Sequence, residues 1–117
     1  MEKVAIVLRC NDDEDRIIIF EASNFNKHKR RHPELEQESF FPGRIKNALR
    51  KPDKKMNGFK NNTKCYYVEE YSVNGIIKYT KVVVHDLPRK INDETVYCIK
   101  TAHKTDHIQE LRYLNQN

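Results

Sequence analysis

Two stretches of this chain carry the groups that acid–base chemistry on a phosphate would need. The first, HKRRHPELEQESFFPGRIKNALRKPD (28–53), brings imidazoles and a dense set of cations. The second, TVYCIKTAHKT (95–105), carries a hydroxyl at Thr101 and an imidazole at His103. RNA cleavage without a metal asks for a base to take the 2′-hydroxyl proton and an acid to protonate the leaving 5′-oxygen. It also asks for cations or donors to steady the crowded, negatively charged phosphorus. Histidine fills either proton role near neutral pH. His32 and His103 are the candidate acid and base, with their order open. Lys81 and Arg44 are candidates to stabilise charge, and Thr101 and Tyr79 to hold a phosphate or a base. Lys27, Lys29, Arg30, Arg31, Arg50, Lys51, Lys54 and Lys55 are candidate contacts to the nucleic-acid backbone. Each residue has a plainer reading: His32 as a cation at a helix end, Thr101 as a β-former, Tyr79 and Lys81 as packing and surface residues, Arg44 as a solubilising charge.

Strand alternation is what would gather these groups. Read as a regular strand, 95–103 puts Thr95, Tyr97, Ile99, Thr101 and His103 on one face. Along 76–85, Ile77, Tyr79, Lys81, Val83 and His85 share a face if no bulge intervenes. Neighbouring strands lie about 4.8 Å apart, so Tyr79, Lys81, Thr101 and His103 can meet around one phosphate.

The elements follow from pattern. VAIVLRC (4–10) and RIIIFEA (16–22) flank the turn NDDED (11–15) and predict an opening β-hairpin. Ser23 or Asn24 is placed to cap a helix that Pro33 ends. A second helix is predicted from about Phe41 to Arg50, with Ile45, Ala48 and Leu49 as its buried stripe. Residues 54–62 read as a short extended piece with turns. TKCYYVEEY (63–71) and IIKYTKVVVHD (76–86) read as strands around an Asn-Gly hairpin turn. LPRKINDE (87–94) reads as a loop, 95–103 as the last strand, and 106–114 as a short helix capped by Asp106. The expectation is one α+β domain over 1–117: an N-terminal β-hairpin, one or two helices, then an antiparallel sheet of three or four strands with the helices on one face.

Charge is unevenly spread. The net charge is +5 with pI about 9.1. Residues 1–26 hold three basic and six acidic groups, 27–55 ten and four, and 56–117 nine and seven. A concentrated positive segment suits a polyanion. Cys10, Cys65 and Cys98 are widely spaced and odd in number, as expected of reduced thiols. No apolar run nears the roughly 20 residues that span a bilayer, and no signal peptide is read at the start. A cytoplasmic protein with no membrane partner is expected. His28 and His32, like His103 and His107, are four apart, a metal-binding spacing on a helix. Pro33 and the strand character at His103 break that geometry, so no metal and no cofactor are expected.

Across roughly 25–105, about two-thirds of the chain, the sequence resembles the barnase–EndoU–colicin–RelE-like nuclease superfamily. More narrowly, it is similar to the small nuclease domains of phage, mobile elements and polymorphic toxins. The resemblance rests on His32-Pro33, the helix end from Ile45 to Pro52-Asp53, Tyr66-Tyr67, Val82-Val83-Val84 and Thr101-Ala102. It implies helices followed by an antiparallel sheet, metal-independent RNase activity, and His32 and Thr101 as active-site positions. It also implies RNA as substrate and, for a toxin, an acidic antitoxin or immunity protein as partner. The hairpin at 1–22 lies outside the match and reads as a lineage-specific addition. The alternative from another class is a non-catalytic RNA- or nucleic-acid-binding protein, such as a phage regulator, with the same fold.

Overall fold

The computed structural model describes residues 4–37, 41–108 and 110. Its elements are β1 (Ile6–Asn11), β2 (Ile17–Glu21), α1 (Ala22–His28), a 3₁₀ turn (Pro33–Glu36), α2 (Gly43–Arg50), β3 (Lys54–Asn57), β4 (Thr63–Val73), β5 (Ile76–His85), β6 (Arg89–Ile91) and β7 (Glu94–Thr105). The strands form one sheet in the order β1-β2-β7-β5-β4-β3, with β6 paired to β7. Every pairing is antiparallel except a short parallel one, Ile18 with Tyr97 and Ile19 with Cys98.

The α+β class and the opening hairpin are as expected. The sheet is larger, with seven strands rather than three or four. The opening hairpin joins the same sheet through β2 and β7. The short strand β3 lies in the segment expected to be an extended piece with turns, and β6 in the segment expected to be a loop. KKMN and RKI are too short and polar to show alternation; pairing with β4 and β7 gives them strand form. The Asn74-Gly75 turn has φ of 50° and 80°, the double left-handed geometry that makes Asn-Gly a hairpin signal.

Helices cover one face. Leu35, Ile45, Ala48 and Leu49 pack there with Tyr66, Val68, Val82, Val84, Ile99 and Ala102. The stripe expected of α2 is fully buried, though the helix starts at Gly43 rather than Phe41. Helix α1 departs more from expectation. It begins at Ala22, Glu21 sits at its cap position without a side-chain cap bond, and it ends at His28. Pro33 instead opens the 3₁₀ turn, with His32 before it at φ −129° and ψ 77°, off the α region as a residue before proline must be. Asp106 pairs with the neighbouring His107; most of the helix expected over 106–114 lies outside the described residues. No described helix is long and apolar enough to cross a membrane.

The NDDED turn is fastened to the sheet by an ionic network. The buried Asp12 carboxylate accepts from the Arg16 guanidinium, from the backbone N–H of Glu14 and Arg16, and from the Tyr66 hydroxyl. Arg16 continues to Asp86 at 2.9 Å and stacks over the Tyr97 ring. Burial alone would raise the pKa of Asp12; the Tyr66 and Arg16 hydrogen bonds bring it below the ordinary carboxylate value.

Candidate functional site

The site is shaped by one extra residue in β7. Across β5 and β7, Lys81 lies opposite His103 and Val83 opposite Thr101, but Val84 lies opposite Ile99. Lys100 is the inserted residue of a β-bulge. The bulge inverts the strand's alternation. Before it, Tyr97 and Ile99 face the helix layer; after it, Ala102 does. Thr101 and His103 therefore turn to the opposite face. The expectation that Thr95, Tyr97, Ile99, Thr101 and His103 share a face fails at Lys100. The shared face survives in part: Tyr79, Lys81, Thr101 and His103 lie on one face, together with Cys65, Tyr67 and Val83. Tyr79, however, lies opposite Thr105, four residues along β7 from Thr101, so it does not join Thr101 around one phosphate.

Asn24 holds the bulge. Its side-chain amide donates to the carbonyls of Ile99 at 2.8 Å and Lys100 at 2.9 Å. This is the role it takes in place of a helix cap. Further along, the backbone N–H of Lys104 donates to the Glu34 carboxylate at 3.1 Å. The segment from α1 to the 3₁₀ turn thus runs along the edge of β7 that β2 leaves open beyond Cys98.

That segment delivers His32. Its imidazole stacks on His103, with ring centroids 4.6 Å apart and planes 15° from parallel. Burial pushes the His103 pKa down to about 4, and the neighbouring His32 and Lys81 push the same way. His103 is therefore neutral at neutral pH. Its Nδ1 and the Thr101 hydroxyl are buried without a hydrogen-bond partner among the described residues.

Lys81 reaches this face, but its charge is already used. It is 5% exposed, and its Nζ lies 2.9 Å from the Glu110 carboxylate. Glu110 also accepts from the Tyr67 hydroxyl in a short hydrogen bond and from the Cys65 thiol at 3.3 Å. Burial would raise the Glu110 pKa; the Tyr67 and Lys81 bonds hold it below the ordinary carboxylate value. Burial and the Glu110 charge push the Cys65 thiol up to about 12, so it stays protonated. Tyr79 packs edge-on against Tyr67.

Arg44 is not brought to this face. It projects from α2 toward Glu70, 3.7 Å away, and over the Tyr71 ring. Glu70 in turn accepts from Thr80, which alternates with Lys81 on β5, so this cluster lies across the sheet. The expected backbone grip also divides. Lys55 is tied to Asp13 and Glu14, Arg50 lies near Asp15, and Lys29 near Glu36. Lys27, Arg30, Arg31, Lys51 and Lys54 are exposed and form no ion pair among the described residues. The acidic turn of the opening hairpin has folded back on the basic segment. No group of three or more His, Cys, Asp or Glu side chains among the described residues is placed to hold a metal ion.

Sequence reasoning gave no site role to Glu110, Tyr67, Asn24 or Glu34. Asn24 left a trace as an expected helix cap, and Tyr67 as part of the Tyr66-Tyr67 strand that carries the resemblance. No protein-family model, no curated protein and no solved structure matches this chain.

Proposed function

We propose that this chain is a metal-independent endoribonuclease of toxin-like type. It cleaves RNA by attack of the 2′-oxygen on the adjacent phosphorus. The new P–O2′ bond forms as the P–O5′ bond breaks, leaving a 2′,3′-cyclic phosphate. The stacked pair of His32 and His103 beside Thr101 is the observation that carries this reading. Two imidazoles 4.6 Å apart can both reach the oxygens of one phosphate, and crowding disfavours protonating both. His103, neutral through burial, takes the proton of the 2′-hydroxyl. His32 gives a proton to the departing 5′-oxygen. The Thr101 hydroxyl, buried with no hydrogen-bond partner among the described residues, lies two residues from His103 on the same strand face and takes an oxygen of the neighbouring phosphate. Exposed Lys27 in the last turn of α1 and exposed Arg30 and Arg31 on the turn leading into His32 hold the flanking strand.

A second reading has a specific observation in its favour. The Lys81 ammonium that would steady the phosphorane is sealed against Glu110. A protein of this shape that binds RNA without cutting it would carry such a pair at no cost to function. Both readings predict salt-sensitive RNA binding. The test is incubation with labelled RNA and chelator across about pH 5 to 8, with mapping of the ends. Cyclic phosphate ends support the enzyme; binding with no cleavage at any of those pH values supports the second reading. An acidic protein inhibitor is the partner the enzyme reading implies, and co-purification tests for it.

A further inference from the structure

We propose that Lys60, Lys100 and Thr101 form a phosphate subsite next to the imidazole pair, which holds a backbone phosphate adjacent to the one cleaved. The identity of the ligand as RNA rests on the proposed function; the anion site stands on geometry.

The β3–β4 connection is folded back tightly. Gly58 N–H donates to the Thr63 carbonyl at 3.0 Å, and the Asn62 carbonyl accepts from Asp86 N–H at 2.7 Å. The Thr63 hydroxyl donates to the Lys60 carbonyl at 2.6 Å. A Cβ at Gly58 would lie 2.3 Å from the Thr63 hydroxyl oxygen, so the closure needs glycine there. The loop so held faces the bulge of β7, and a cavity of about 180 Å³ lies between them. Lys60, Lys100, Thr101, Lys81, Thr63 and Glu110 are among its lining residues. A single water needs only about 30 Å³ of liquid volume, so a tetrahedral anion has room.

The charge balance of this cavity favours an anion. Lys81 and Glu110 neutralise each other. Lys60 and Lys100 form no ion pair among the described residues. Burial and the neighbouring Lys60 lower the Lys100 pKa, as expected for ammonium groups crowded without a counter-ion. Burial, with Lys100 and then Arg89 behind it, likewise lowers the His85 pKa. A phosphate oxygen would relieve this crowding and supply the partner that the buried Thr101 hydroxyl lacks. Thr101 and His103 are two residues apart on one strand face, roughly 7 Å, a separation comparable to that of successive phosphates on an extended RNA strand.

The test uses the full chain and two probes, inorganic phosphate and a 2′-deoxy strand that cannot cleave itself. Phosphate is expected to shift the backbone amide signals of Lys60, Lys100 and Thr101. The Lys60→Ala/Lys100→Ala double variant is expected to lose those shifts, bind the strand roughly tenfold more weakly, and show a salt slope smaller by about 1. Lys60→Arg/Lys100→Arg is expected to keep binding, which separates loss of charge from loss of fold. Absence of phosphate shifts at these residues would overturn the site. Phosphate shifts without any change in strand binding would overturn its assignment to RNA. If the double variant loses strand binding while the native chain never cuts RNA, the subsite stands and the nuclease reading falls. If the native chain cuts RNA and the double variant cuts it with unchanged KM, the reverse holds.

Discussion

The imidazole of His32 lies nearly parallel to that of His103, 4.6 Å away, although 71 positions separate them in the sequence. Asn24 and Glu34 produce this juxtaposition by lashing the α1-to-3₁₀ segment to β7. Burial makes His103 the neutral member. Side-chain NMR titration is expected to place its pKa near 4. His32→Ala removes a like charge and should raise it part of the way toward about 6.5, since burial is the larger cause. A His103 that titrates near 6.5 in the native chain would contradict the burial seen here.

The same shift ties stability to pH. A group whose folded pKa is depressed binds fewer protons when folded, so it favours folding above its unfolded pKa. For His103 that contribution is fully present above about 6.5 and is lost as pH falls toward 4. Its size is at most about 3 kcal/mol. Urea denaturation of the native chain is expected to show that loss, and His103→Gln to flatten the slope in this window. The depressed Asp12 and Glu110 act the same way at lower pH, below about 4.

The Lys81–Glu110 pair is buried on both sides. Removing one partner strands a charge away from water. Lys81→Met or Glu110→Gln alone should cost on the order of 3–5 kcal/mol. The double variant Lys81→Met/Glu110→Gln should cost less than the two single losses added together. A loss below about 1 kcal/mol for both single variants, measured by denaturant midpoint, would show that Glu110 is not held as described.

Asn24→Ala leaves the Ile99 and Lys100 carbonyls without their donors, at about 1–3 kcal/mol. Activity should fall further than this loss of stability accounts for, because the bulge also aims Thr101 and His103. Asn24→Asp should not rescue, since a carboxylate has no hydrogens to donate. RNA cleavage measured well below the unfolding temperature separates the two effects, and parallel losses would make Asn24 purely structural.

Much of the frame was legible in the sequence because it rests on local pattern. The opening hairpin, the Ile45-Ala48-Leu49 stripe and the Asn74-Gly75 turn each declare themselves within a few residues. What was not legible depends on partners far along the chain. Nothing local marks Lys100 as an inserted residue, and one insertion reverses every side chain after it. Along the sequence the basic segment reads as a continuous grip. In space Asp13 and Glu14 take Lys55, and Asp15 approaches Arg50. Lys81 looked free because its partner, Glu110, lies 29 positions away. Tyr79, Lys81, Thr101 and His103 do share a face, because both members on β7 lie beyond the bulge, but Tyr79 lies opposite Thr105, four residues along β7 from Thr101, and does not meet it around one phosphate.

The most direct measurement is cleavage of labelled RNA in chelator by the native chain, His32→Ala and His103→Ala, with RNA binding measured alongside. The account predicts cyclic phosphate ends from the native chain and a rate loss of about a hundredfold or more in each variant, with strand affinity nearly unchanged. Equal cleavage by all three proteins, or RNA left intact by the native chain, would contradict it.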